Sequence, residues 1–419
     1  MMQQRYRYIL PLLCSLLLAA CGSDDGTSPA NTATGTSGTQ PIMFSAGMGA
    51  GKQAATRATT DINSNSDLSA KGGFGVFGCY TGLHRYSDSN VRPDFMYNEH
   101  VTGNVDGTTW TYSPLKYWPN GEGETSSGSV TGDNPHYVSF MAYAPYSDNY
   151  TGASGYCIPS FSLQGEIGNP WLTYRIHNDV SQQVDLLYAK HSNVHPILDL
   201  TKPTDPDSKV TFQFEHALAC VGDRVNISCS DGMKKLIKEK VDTESSITEG
   251  LLTLKSVSVK YTLIERGRLI MWNGGEANWQ SIASGNRMTT RTVTLTPSAP
   301  YELPYELYRY NGSVETYAPW QDANHGVFYI PLIPDNSSEI QTAEITVSYD
   351  LTYGATTQTL TGTSLIPIYA PGSSYAAAYE SGKHLYLNVE IDNVTIYLTA
   401  AIAPWTDGGT TSMNGVEVD

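Results

Sequence analysis

The chain of 419 residues has little positive charge. It carries 25 Lys and Arg against 41 Asp and Glu, so its formal net charge is −16. A protein that binds nucleic acid or an anionic membrane through its folded body needs a basic surface, and this balance argues against both functions. After the N-terminal leader there is no run of about 20 apolar residues, the length that a transmembrane helix needs.

Motifs of metal binding and catalysis are scarce as well. The chain has no Cys-x-x-Cys pair and no Gly-x-Ser-x-Gly turn, which argues against a thiolate zinc site and a serine hydrolase. The glycine-rich segment 47–52 lacks the residues that a phosphate-binding loop needs around its Gly-Lys pair. His191 and His195 have the spacing of two metal ligands on a helix, but Pro196 follows and a helix is not expected there. No metal site or cofactor is predicted.

Cysteines are few, and two of the six belong to the N-terminal region. The remaining four either form disulfides, which an exported protein permits, or stay as buried free thiols. The spacing of Cys220 and Cys229 is short enough for a pair, but four cysteines allow three connectivities and the sequence does not choose among them. The four are Cys79, Cys157, Cys220 and Cys229.

The first 20 residues have the pattern of a secretory signal peptide: Arg5 and Arg7, then an apolar run, then small residues. The next residue is Cys21, and a cysteine at this position distinguishes a bacterial lipoprotein signal from an ordinary one. We therefore expect Cys21 to carry lipid, which anchors a protein firmly once two or more acyl chains are attached. Residues 22–40 are rich in Ser, Thr, Gly and Ala and are predicted to form a flexible leash.

The chain after Thr60 has the pattern of strands and turns. Apolar and polar residues alternate with period two in several segments, and the clearest hairpin has its turn at Asp392-Asn393. Helical patterns are limited to one turn at 216–221 and a short, exposed, basic helix at 233–240. The predicted fold class is all-β, with antiparallel sheets in sandwiches. The alternating segments are 138–144, 210–214, 257–263, 345–351, 385–391 and 394–400.

The chain is longer than the roughly 250–300 residues that a single core usually serves. The Pro- and Asp-rich stretch 200–208 is the best candidate linker. We predict four parts, namely a lipoprotein signal peptide, a lipidated leash with a first strand, and two β-sandwich domains. Their bounds are 1–20, 21–59, 60–208 and 209–419.

Two tryptophans, Trp110 and Trp118, lie in short aromatic motifs. Exposed indole rings stack on sugars or anchor protein interfaces, and both residues are candidates for ligand contact. The alternative is that they fill the core of a sandwich. The sequence leaves both interpretations open.

Several motifs occur in an order that one family shares. They are Ile42-Met43-Phe44-Ser45, Thr56-Arg57-Ala58-Thr59, Trp110-Thr111-Tyr112, Lys116-Tyr117-Trp118-Pro119, 138–145, 185–189, 210–218, Gly382-Lys383 and Ile402-Ala403-Pro404-Trp405. With these motifs the chain resembles the fimbrillins (Mfa-like and FimA-type), the surface lipoproteins of Bacteroidetes that build type V pili.

The resemblance implies two transthyretin-like β-sandwich domains and no enzymatic activity. It implies lipid-assisted transport to the outer surface, for which Asp24-Asp25 resembles the acidic export signal of that phylum. An Arg- or Lys-specific protease would then remove the first strand, Ile42-Met43-Phe44, by cutting between Arg57 and Ala58, with Lys52 as the second candidate. A strand from another pilin subunit would fill the groove that remains.

The expected function is that of a fimbrial subunit in adhesion, located in the outer membrane as a surface-exposed lipoprotein and in the fimbrium after processing. Its expected partners are other pilin subunits, the protease, the outer membrane through the lipid, and a host protein or glycan. Since few residues follow Trp405 to act as a donor strand, a tip or accessory subunit is expected. The alternative is a lipid-anchored cell-surface glycan-binding protein that uses Trp110 or Trp118.

Overall fold

The computed structural model describes residues 40–48, 62–87, 89–119, 136–148, 157–177, 182–190, 197–271, 278–280, 282, 290–296, 303–322, 327–334, 341–369, 381–392 and 395–404. All of these residues belong to one unit of the chain, Ser37–Asp419. Strands dominate it, which confirms the predicted all-β class.

The described part of the first half of the chain contains nine strands and one short helix, α1, which lies between the first two strands. In order, the elements are β1 (Met43–Met48), α1 (Asn65–Ala70), β2 (Phe74–Gly82), β3 (Met96–Gly103), β4 (Trp110–Thr111), β5 (Tyr137–Ala144), β6 (Ser160–Phe161), β7 (Trp171–Arg175), β8 (Leu187–Lys190) and β9 (Lys209–His216).

The second half contains the longest strands and a second helix, α2. The elements are β10 (Ala219–Cys229), α2 (Asp231–Thr243), β11 (Gly250–Ile264), β12 (Arg266–Ile270), β13 (Asn278–Gln280), β14 (Thr290–Leu295), β15 (Tyr305–Tyr310), β16 (Glu315–Tyr317), β17 (Trp320–Gln321), β18 (Ile330–Leu332), β19 (Gln341–Tyr353), β20 (Thr356–Tyr369), β21 (Lys383–Asp392) and β22 (Thr395–Pro404).

Among the described residues the strands form four sheets. The first has the order β1-β9-β8-β5-β2-β3-β4, and its outermost strand, β1, runs parallel to β9. The second contains β17-β10-β21-β22, with β18 also on β10, and its β10–β21 pair is parallel too. The third has the order β16-β15-β11-β19-β20, with β14 on β11, and the fourth has β13-β12-β7-β6. The expectation of antiparallel sheets is therefore wrong for two pairs, whose partners are joined by long crossovers rather than by hairpins.

The second and third sheets pack face to face in the second half of the chain. Strands β20 and β22 meet at Gly362, where an added Cβ atom would lie 2.7 Å from Cγ2 of Ile396. Helix α2 lies over this unit through Met233, Ile237 and Val241, which share one helix face and are buried. The predicted helix at 233–240 is confirmed, although it is longer than expected and only its other face is exposed.

The two predictions for turns have different outcomes. The hairpin around Asp392-Asn393 is confirmed, since β21 and β22 pair from Lys383↔Pro404 to Asp392↔Thr395. The helical turn at 216–221 is wrong. Strand β9 ends at His216, and β10 starts at Ala219 in a different sheet, so the chain changes sheets here within two residues.

The predicted boundary at residue 208 stays a prediction. Strand β9 follows it directly and belongs to the first sheet, and the fourth sheet joins β7 to β12 from Trp171↔Ile270 to Arg175↔Arg266. The buried apolar side chains of the described residues form two clusters. One surrounds β1 in the first sheet, and the larger one extends through the other sheets and under α2.

Candidate functional site: the first strand and its groove

The first strand lies at one end of the first sheet and pairs with β9 along its whole length. The register runs from Met43↔Lys209 to Met48↔Phe214. This strand contains the predicted removable residues Met43 and Phe44, and Ile42 directly precedes it. The three therefore lie where a strand can be lost without opening the middle of a sheet.

A second wall of the groove is formed by residues 112–118, on the other side of the strand. The backbone N–H of Ile42 donates to the carbonyl oxygen of Lys116 at 2.8 Å, and the N–H of Trp118 donates to that of Gln40 at 3.1 Å. Pro41 and Tyr117 form an isolated antiparallel bridge. The beginning of the first strand is thus bonded on both sides, and we call the space between β9 and residues 112–118 the first-strand groove.

The floor of the groove is aromatic. The ring of Phe44 lies 5.3 Å from that of Tyr112, 5.6 Å from Phe140 and 5.5 Å from Phe212, measured between centroids. Phe44 is 2% exposed and Ile42 is fully buried. Each such side chain stabilises the docked strand by about 1.5–3 kcal/mol.

Polar contacts hold the outer parts of the strand. The hydroxyl groups of Ser45 and Thr211 are 2.7 Å apart. The amide of Asn65, in the first turn of α1, donates to the carbonyl oxygen of Ala46 at 2.9 Å. Because Asn65 and Thr211 both belong to the chain that follows the predicted cut, these bonds link the strand to the part of the chain from which a cut would separate it.

Tyr112 connects the floor to the strand. Its hydroxyl donates to the carbonyl oxygen of Ile42 at 2.8 Å and accepts from the N–H of Lys116 at 3.1 Å. Burial raises the pKa of Tyr112 to about 12, so the phenol is neutral and able to donate at physiological pH. The motif Trp110-Thr111-Tyr112 thereby has a structural role in the groove that the sequence did not assign to its tyrosine.

A buried acid fixes the chain where it resumes after the strand. Asp185 accepts from the N–H of Ile62 at 2.8 Å and lies 3.0 Å from Nδ1 of His216, the last residue of β9. Both Asp185 and His216 are buried. Sequence reasoning missed this pair. The available signal was an acid inside the apolar motif 185–189, because a carboxylate is seldom buried without a partner.

The predicted cleavage residues, Lys52, Arg57 and Ala58, lie outside the described residues. The described chain ends at Met48 and resumes at Ile62, and both flanking positions are in contact with the groove cluster. A cut at any of these residues therefore separates the first strand covalently from Ile62 and everything after it. The predicted lipid site Cys21 and the histidines His191 and His195 also lie outside the described residues.

Both candidate tryptophans are buried. Trp110 is 3% exposed and packs on Phe74 at 5.0 Å between ring centroids, and Trp118 is 4% exposed with its ring edge-on to Phe140. In this state neither indole face is open to a sugar, because the rings fill the core beneath the first strand. Ligand contact by Trp110 or Trp118 stays a prediction, and it would require a state of the protein in which these indole rings are exposed. The exposed aromatic residue in this region is Tyr117.

The four cysteines of the body are buried and form no disulfide. The open question of disulfide or thiol is thus answered for this structure in favour of thiols.

In the described part of the chain, no three His, Cys, Asp or Glu side chains are grouped closely enough to hold a metal ion. Neither described helix is long and apolar enough to span a membrane.

The fold is similar to that of a fimbrial protein of known structure. A crystal structure of a fimbrial protein from Bacteroides vulgatus matches 87% of this chain and 99% of its own, with a TM-score of 0.56 and 19% sequence identity, so the two share a fold. The tip fimbrial protein Mfa3 from Porphyromonas gingivalis, with a C-terminal truncation, matches 84% of this chain and 97% of its own at 12% identity. Its TM-score of 0.29 is too low to define a shared fold.

Sequence comparison also finds a relative with a fimbrial name. Fimbrium subunit Fim1C of Phocaeicola vulgatus is 29% identical over 167 residues, which are 39% of this chain and 38% of that protein. No protein-family model matches the chain. The resemblance to the fimbrillin family is confirmed by the relative and the fold together. The match spans less than half of the relative's length.

Proposed function

We propose that the protein is a fimbrial subunit at the cell surface and that its first strand is a removable plug. The observation that carries the proposal is the placement of β1. It occupies an edge position between β9 and residues 112–118. Its covalent link to the strands that follow runs through residues 49–61. The names of the similar proteins, a fimbrium subunit and a fimbrial protein, support the same function.

Loss of the plug would create an acceptor site for a strand. It would expose one edge of β9 and the aromatic floor of Tyr112, Phe140 and Phe212. An edge with unpaired backbone groups above apolar pockets binds an extended segment by β-augmentation, in which backbone bonds give affinity and alternate side chains give specificity. The natural partner is a strand of another pilin subunit.

In this proposal the chain reaches the surface as an outer-membrane lipoprotein attached through Cys21. An Arg- or Lys-specific protease cuts after Arg57, or after Lys52, and the subunit then joins a fimbrium that serves adhesion to a host protein or glycan. The placement as a tip or accessory subunit stays a prediction. The proposal assigns the chain a structural role without catalysis.

The experiment is exchange of the first strand. The chain is cut with an Arg-specific protease and mixed with a fluorescent peptide of residues 40–48, and binding is followed by anisotropy. The cut protein should take up the peptide, whereas the uncut protein should not. A matched peptide with Phe44→Asp should fail to bind, because a carboxylate cannot enter the aromatic floor without losing its hydration.

A second comparison uses an uncuttable chain. The double variant Lys52→Ala/Arg57→Ala should stay intact and bind no peptide after the same treatment. Uptake of the peptide by this variant, or no uptake by protein cut after Arg57, would contradict the proposal. Mass spectrometry of the protein taken from cells should find an N-terminus at Ala58 in fimbriae and a lipidated Cys21 in the unprocessed fraction.

The glycan-binding alternative has no comparable support. It relied on Trp110 and Trp118 as stacking surfaces, and both are buried. Specific binding on a glycan array that is lost on Trp118→Ala, with the fold retained, would restore it.

A further inference from the structure

Strand β20 forms the edge of the third sheet. It pairs with β19 along 13 residue pairs, from Thr342↔Pro367 to Tyr353↔Thr356 with Gln341↔Tyr369 beyond a bulge. On its other side, no described strand pairs with it. The outer side of this 14-residue strand therefore has a row of backbone donors and acceptors that no described strand pairs with, interrupted only at Pro367.

This edge lacks the usual protection against pairing. No Asp, Glu, Lys or Arg occurs from Thr356 to Tyr369. Pro367 interrupts the donors only near the end, and the irregularity in the pairing is confined to the same end. Natural edge strands are normally short, charged or bulged. Strand β20 has none of these features between Thr356 and Ile366.

The side chains of the strand add to its capacity for pairing. Residues 356–359 are exposed, and Leu365 further along is 54% exposed. On the paired side, threonines already face each other across the strands, with hydroxyl distances of 3.1 Å for Thr346–Thr363 and 3.0 Å for Thr352–Thr357. Cross-strand threonine pairs of this kind stabilise a sheet. A new strand that paired with the outer side of β20 would lie next to the same threonine side chains.

A second copy of the chain is the partner that these features fit. With a formal net charge of −16, two copies repel each other over most of their surface. Strand β20 itself carries no charged side chain, and the carboxylate of Asp350, which accepts from the hydroxyl of Thr359 at 2.6 Å, lies 3.1 Å from Nζ of Lys255. The edge is therefore a place where two backbones can approach with little repulsion between carboxylates. Antiparallel pairing of one strand with its own copy also satisfies two-fold symmetry, in which the same patch serves both subunits.

We propose that two copies of the protein associate through antiparallel pairing of β20 with β20 over residues 358–365, which joins the third sheets of the two molecules into one continuous sheet. The contact is separate from the first-strand groove, so it holds whether or not the plug is removed.

The test is sedimentation velocity of the purified full chain over a concentration series. The parent protein should shift from monomer to dimer as its concentration rises. Thr359→Lys/Thr363→Lys places four lysines at the proposed contact, and it should weaken dimer formation at least tenfold. The control Ser256→Lys/Ser258→Lys adds the same charge on β11, an interior strand of the same sheet, and should dimerise like the parent.

A charge-reversed partner separates repulsion from misfolding. Thr359→Glu/Thr363→Glu should also be monomeric, but an equimolar mixture of the Lys and Glu variants should form a mixed dimer. A parent protein that stays monomeric at every concentration overturns the proposal. So does a dimer that the Lys variant at 359 and 363 retains, or a mixture that fails to associate.

Discussion

The hydroxyl of Tyr112 donates a hydrogen bond to the carbonyl oxygen of Ile42 across 2.8 Å. Ile42 introduces the first strand, and Tyr112 follows β4 at the opposite end of the first sheet. The hydrogen bond of this phenol thus links the two terminal strands of the first sheet, β1 and β4, through the residues next to them. Docking of the first strand is therefore coupled to the position of residues 112–118.

Tyr112→Phe should loosen the first strand. The variant keeps the ring against Phe44 but loses the donor to Ile42 and the acceptor for Lys116. The free energy of unfolding should fall by about 1–2 kcal/mol, the usual cost of a buried hydrogen bond that is left unmade. Urea denaturation measures this, and Tyr117→Phe, at an exposed neighbour, should change it little. Equal losses in the two variants would contradict the role given to Tyr112.

Tyr112 should also make the protein sensitive to alkaline pH. Burial raises its pKa from 10.0 to about 12, so between these values the unfolded state releases the proton that the folded state keeps. Stability is then fully present below pH 10 and is lost as the pH rises towards 12. The difference in unfolding free energy between parent and Tyr112→Phe should shrink over this interval. A difference that stays constant from pH 9 to 12 would argue against a buried neutral phenol.

Phe44→Ala should weaken docking of the first strand more than any change on its outer face. The ring contacts Tyr112, Phe140 and Phe212, and truncation of a buried Phe costs about 3–5 kcal/mol. In protein cut after Arg57, the strand should dissociate at least 100-fold faster than in the parent. Met43→Ala, on the opposite side of the strand, is the control and should have a small effect. Release is measured by size-exclusion chromatography followed by mass spectrometry.

Asp185→Ala should destabilise the fold on the far side of the predicted cut. The change removes the acceptor for the N–H of Ile62 and the carboxylate beside His216. We expect a loss of about 2–4 kcal/mol, because buried polar groups lose their partner. Asp207→Ala, at an exposed position, should stay within about 0.5 kcal/mol of the parent. If both variants denature at the same urea concentration, Asp185 does not hold Ile62 in place.

The four body cysteines should react slowly with iodoacetamide in the folded state. Burial raises the pKa of the Cys157 thiol to about 11 and that of Cys229 to about 12, so the reactive thiolate is rare at neutral pH. Unfolding in urea without reductant should make all four thiols reactive, which peptide mapping would count. Alkylation that requires prior reduction would show a disulfide instead.

The strand pattern of this protein could be predicted wherever one face of a strand is buried. In β19, for example, Ile345, Val347 and Tyr349 are buried and alternate with Thr346 and its polar neighbours, and this period is readable without any partner. The change of sheets after His216 could not be read in the same way. Residues 217–221 are all buried, and a continuous apolar run fits a strand or a helical turn equally well.

The groove was predictable in outline but not in its pairing. The short apolar segment Ile42-Met43-Phe44 indicates a strand, yet its partner is β9, where Ser45 faces Thr211, 166 residues further along the chain. No local period encodes such a distance. The contact of Asp185 with His216 has the same origin, since the topology of the sheet brings together residues that the sequence presents as unrelated motifs.

The parallel pairing of β1 with β9 has a consequence for the energetics of cutting. While the chain is intact, the first strand is in effect a ligand tethered to its own binding site, and its local concentration is set by the length of the tether. A single cut within residues 49–61 changes no contact in the groove, but it removes that tether towards Ile62. Rebinding then depends on the bulk concentration of the strand, so a competing strand that binds no more tightly can replace it simply by being more abundant or by being tethered nearby.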